Sequence, residues 1–102
     1  MKRVAILAVL MITAVAGAAR ATPMAIDLEL VLAVDVSRSV DAEEAALQRT
    51  GYVSAFRHPI VIDAISHEKL GRIAVVYFEW GTYGNSNLVI DWTLIKDKAS
   101  AE

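Results

Sequence analysis

Residues 28–44 read L-E-L-V-L-A-V-D-V-S-R-S-V-D-A-E-E, an apolar run that stops at Asp35 and continues into serines at positions 37 and 39. The stretch from Ile26 to Asp35 begins as an apolar/polar alternation and closes as the continuous run Leu30 to Val34. That is the pattern of a strand entering a sheet covered on both faces. Its valines and its abrupt polar stop favour a strand over a short buried helix. The expected element is a central parallel strand, with Asp35, Ser37 and Ser39 emerging at its carboxyl end. In open α/β sheets this is the end where the ligand crevice forms.

Three oxygen side chains at alternate positions of an extended turn can converge on one point. A carboxylate and two hydroxyls are hard ligands of the kind Mg2+, Mn2+ or Ca2+ accepts, although three oxygens make only half of an octahedral shell. The positive end of a following helix opposes a cation, and Asp35, Asp41, Glu43 and Glu44 supply negative charge that offsets it. Two other uses of the loop stay open. Asp35 can simply end the strand while Ser37, Ser39 or Asp41 caps a helix. Asp35 can also be an aspartyl nucleophile for phosphoryl transfer, against which stands Ser37 where a second carboxylate is usual in such enzymes.

Beyond the loop, Asp41 with Glu44 three residues on forms a capping-box pattern, and Ala42, Ala45, Ala46, Tyr52, Val53 and Phe56 fall near one helical face up to Arg57. Gly51 is the weak point of that helix. Arg57-His58-Pro59 breaks it, and Pro59 suits the start of a second short helix through Ile60, Ile62, Ala64 and Ile65. Arg72 to Trp80 is nearly unbroken in β-forming apolar residues, so a second buried strand is expected. Gly81 to Asn87 is a turn, and Leu88 to Leu94 alternates well enough for an edge strand paired as a hairpin. Lys96 to Glu102 is polar and helix-compatible. The order strand, helix, short helix, strand, strand makes one βαβ crossover plus a hairpin.

At the other end, Met1-Lys2-Arg3 and the apolar run Val4 to Ala19, closing in Ala19-Arg20-Ala21, read as a signal peptide cleaved after residue 21. Its sixteen residues, mostly Ala and Val, fall short of the roughly 20 that span a bilayer, so no stable membrane span is expected after cleavage. Loss of Lys2, Arg3 and Arg20 from ten basic residues leaves seven against twelve acidic ones, a net charge of −5. Nucleic acid and anionic membranes are then poor partners. There is no cysteine, so no disulfide and no thiolate metal site. His58 and His67 read as helix-end residues. Glu79-Trp80 and Asp91-Trp92 read as rim and packing positions of the hairpin, and glycine-rich phosphate loops and Gly-x-Ser-x-Gly elbows are missing.

V-D-V-S-R-S-V after a hydrophobic strand resembles the first loop of the metal-ion-dependent adhesion site of von Willebrand factor type A (VWA) domains, D-x-S-x-S. The runs EEAALQRTGYVSAFRHP (43–59), GRIAVVYFEW (71–80) and VIDWTLI (89–95) extend the likeness over the chain from Asp27 onward, to an uncharacterised bacterial branch of exported VWA-like proteins. The resemblance implies a Rossmann-like sheet with helices on both faces and a divalent cation at its top, held in part by Asp35, Ser37 and Ser39. It implies a periplasmic or secreted binding protein, not an enzyme, whose protein partner presents an acidic residue to the metal. Family members complete the site with a threonine and an aspartate from two later loops, and no residue up to Glu102 matches them. The expectation is therefore the N-terminal half of the domain over residues 22–102, with an incomplete sheet. A non-functional fragment is the other outcome of that expectation.

Overall fold

The computed structural model describes residues 21–102, and the expected signal peptide over residues 1–21 lies outside them except for Ala21. The elements are β1 (Leu28–Asp35), α1 (Ala42–Arg57), α2 (Pro59–Ser66), β2 (Ile73–Trp80) and β3 (Ser86–Ile95), with short 3-10 turns at Thr82–Gly84 and Ala99–Ala101. Strand β1 runs parallel to β2 in unbroken register from Leu28 opposite Ile73 to Asp35 opposite Trp80, and β3 returns antiparallel to β2. This is a mixed α/β chain with an open three-stranded sheet, consistent with part of a Rossmann-like fold.

Local chemistry sets these boundaries. Asp41 is extended and its carboxylate accepts the Glu44 backbone N–H at 2.9 Å, while the Glu44 carboxylate accepts the Asp41 N–H at 3.0 Å. Both halves of the capping box are present, satisfying two N–H groups that the helix leaves unpaired. His58 turns extended between α1 and α2, ending the first and capping the second through Nδ1, which accepts from Ile60 N–H at 3.2 Å. Pro59 then opens α2, where its missing N–H costs nothing. The Asp27 carboxylate accepts from Leu70 N–H at 2.8 Å and Arg72 N–H at 3.0 Å. It thus pins the entry of β1 to the turn entering β2.

The core joins Ile65, Ile73, Val75 and Ile95, with Leu30, Leu32, Phe56, Val61 and Ile62 packed around them. Both helices therefore lie on the same side of the sheet, against the even-numbered residues of β1 and the odd-numbered residues of β2. The incomplete sheet expected of residues 22–102 is found. β2 holds the centre, and β1, whose apolar run suits a strand flanked on both sides, has a neighbour on one side only. Among the described residues both helices lie on one face, and Val31 on the other is 53% exposed. An unbroken apolar run reports the chemistry of side chains, and it does not say which backbone edge finds a partner.

Strand β3 is longer than the alternation indicated, because Ser86 and Asn87 pair with Trp80 and Glu79 inside the expected turn. Its pairing is interrupted twice, between Val75 and Tyr77 and between Tyr77 and Phe78. The tail forms one 3-10 turn in place of a helix. Its Ser100 hydroxyl accepts from the Lys96 and Asp97 N–H groups at 3.0 and 3.1 Å, and the Asp97 carboxylate accepts the Ser100 N–H at 2.8 Å. Among the described residues, no helix is long and apolar enough to cross a membrane.

Candidate functional site

Asp35 is the last residue of β1, and the ladder runs one step past it, with Val36 N–H donating to the Trp80 carbonyl at 2.8 Å. The chain then bends sharply, Val40 N–H donating to the Ser37 carbonyl at 2.8 Å, and α1 begins behind Asp41. The serine-bearing turn is thus held between a strand end and a helix cap.

Within it, one oxygen of the Asp35 carboxylate accepts both the Ser37 N–H, at 2.8 Å, and the Ser37 hydroxyl. These two donors, the hydroxyl first, hold the Asp35 carboxyl below its ordinary range, and the group remains exposed. Asp35 and Ser37 are therefore brought together. Ser39 is not bonded to either of them. It lines a groove of about 360 Å³ with Val40, Glu44, Leu47 and Gln48 on the flank of α1. Of the nearby acids, Asp41 and Glu44 are engaged in the capping box, with Glu43 beside them in the first turn. Among the described residues no three His, Cys, Asp or Glu side chains cluster as a metal-holding group. The donors available at this loop are one carboxylate and hydroxyls.

A second polar arrangement escaped the sequence reading. The Arg49 guanidinium of α1 grips Glu79 of β2 with two parallel bonds of 2.6 Å each, from Nε to Oε1 and from one terminal amine to Oε2. Glu79 is 5% exposed. Tyr77 adds a long hydroxyl contact to it at 3.5 Å, and Tyr52 packs edge-on against the Tyr77 ring at 5.4 Å. Arg49 draws the Glu79 carboxyl below its ordinary range, while burial pushes the Tyr77 phenol up. Glu79 is thus a buried charge and not merely a rim position. The sequence signal was a lone acid inside an apolar strand, at the parity that faces the helices, which demands a base across the layer.

The histidines fall at helix ends as expected, His67 closing α2 with Nδ1 2.8 Å from the Asp63 carbonyl. Asp91 is exposed and accepts only locally, from Trp92 N–H at 2.7 Å. Between α1 and the β2–β3 hairpin runs an apolar cleft of about 320 Å³, lined by Tyr52, Phe56, Val75, Tyr77 and Ile90 among others.

Sheet, crossover and loop define an α/β protein whose candidate site sits at the carboxyl end of its parallel strand pair. Residues 25–102 match the family model described as "Protein of unknown function (DUF1194)", and the chain belongs to that family. No curated protein and no solved structure matches the chain.

Proposed function

We propose that this chain is an exported VWA-like binding domain in which Asp35, Ser37 and Ser39 form part of a divalent-cation site, and that it mediates protein–protein interaction and not catalysis. The observation that supports this best is the exposed Asp35 carboxylate at the end of a parallel strand, with the Ser37 hydroxyl already turned onto it. Both groups are hard oxygen donors suited to Mg2+, with Mn2+ and Ca2+ as alternatives. The lowered Asp35 carboxyl is ionised at neutral pH, as a cation ligand must be.

The bound ion would supply a Lewis-acidic position open to a carboxylate from the partner protein. The chain's own part is to hold the donors and to moderate the field around them. Asp41, Glu43 and Glu44 place negative charge at the α1 N-terminus, where unpaired N–H groups would otherwise repel a cation. The exported location rests on the leader-like residues 1–21.

Calorimetric titration of the folded chain with Mg2+ and Mn2+ tests the proposal. Saturable binding is expected, and Asp35→Ala should abolish it while leaving the far-ultraviolet circular dichroism unchanged. A folded wild-type chain that shows no saturable uptake of either ion overturns it.

A further inference from the structure

We infer that the Arg49–Glu79 pair is a positioning device for the Asp35 loop, fixing the separation between the strand end that carries Asp35 and the helix start that follows Ser39. The affinity part of this inference rests on the cation site proposed above. Its structural part does not.

The connectivity makes a closed circuit. Glu79 immediately precedes Trp80, whose carbonyl holds the Val36 N–H at the exit of Asp35. On the far side of the loop, Asp41 caps α1, and two turns into that helix Arg49 reaches back to Glu79. The serine-bearing turn is therefore strung between two points that the ion pair ties to each other. The aromatic contacts of α1 lie farther from the loop, at Tyr52 against Tyr77 and at Phe56 in the core, and on the loop side of Arg49 only Ala45 and Gln48 are partly buried. No residue of α1 is fully buried. Among the described residues the pair is the side-chain polar tie between α1 and the sheet, and without it the first turns of the helix are held by packing alone.

The geometry of the pair suits this task. A planar guanidinium bonded through two nitrogens to both carboxylate oxygens fixes rotation as well as distance, which a lysine ammonium does not. Glu79 is the buried member and Arg49 the half-exposed one, so Arg49→Lys keeps the compensating charge and the fold while losing the fork.

The test follows the Ser37 amide, which donates to Asp35, by hydrogen exchange without metal, and Mg2+ binding by calorimetry. In Arg49→Lys the chain should stay folded, Ser37 protection should fall about tenfold, and affinity should weaken roughly ten- to a hundredfold, as for partners that orient metal ligands. Arg57→Lys, which alters the pair with Glu102 at the opposite end of α1, should change neither. If Arg49→Lys does not fold, Arg49→Met with Glu79→Leu removes both charges together and is read in the same way. Wild-type protection at Ser37 in a folded variant overturns the inference. Lost protection with no Mg2+ binding even by the wild type upholds it and removes only the cation proposal.

Discussion

Two carboxylates one step apart in the parallel register meet opposite fates. Asp35 stands opposite Trp80 and projects to solvent, whereas Glu79 stands opposite Val34 and turns under α1. Asp35 is legible in the sequence because an apolar strand stops at it. Glu79 is harder to read, since its partner lies 30 residues away and its orientation is known only once the helix-facing parity of β2 is known. The difference shows in acid. Arg49 holds the folded Glu79 carboxyl below the roughly 4.3 of an unfolded glutamate. Its contribution to stability is thus fully present above that value and is lost as pH falls through the folded pKa. Between pH 6 and pH 3 the thermal midpoint of the wild type should drop more steeply than that of Glu79→Gln, which has no proton to take up. Parallel curves would assign the acid limb to other carboxylates.

At the scale of elements, the helices were the easiest to read and the sheet edges the hardest. Capping box, proline break and second helix are local chemistry, written within a few residues, and α1 and α2 start where Asp41 and Pro59 place them. The paired edges depend on partners distant in sequence. That is why β1 has the apolar run of a strand flanked on both sides and finds a neighbour on one, and why the two interruptions in β3 leave no trace in its alternation. Gly51 is an element-scale weakness that the structure does not require. A Cβ built there meets nothing within 4 Å, and its φ lies outside the left-handed range. Gly51→Ala should therefore stabilise α1 by about 1 kcal/mol, visible as a thermal midpoint several degrees higher. An unchanged midpoint would mean that α1 is already melted in the state from which unfolding is measured.

At the scale of the whole molecule, the described residues form a sheet with helices on one side. Opposite the helices, Val31, Trp80 and Leu88 are between 42% and 56% exposed around a buried Val76, and among the described residues no helix lies over that face. The outer edge of β1 adjoins it, eight residues long and free of register shifts against β2. Its charges are Glu29 and the terminal Asp35, with no lysine or proline between them, whereas the opposite edge, on β3, is broken by its bulges. An unbroken edge beside an apolar face is the combination that recruits other chains. The net charge of −5 expected for residues 22–102 opposes this only through long-range repulsion, which salt screens over about 10 Å at 0.1 M. Sedimentation should therefore show association that rises with protein and salt concentration. Val31→Lys, which sets a charge in the middle of the exposed strand, should restore a monomer at the same concentration without shifting the thermal midpoint by more than about 0.5 kcal/mol equivalent, as for an exposed position. If the lysine variant associates as strongly as the wild type, the contact lies elsewhere, and the apolar cleft under α1 becomes the next surface to test.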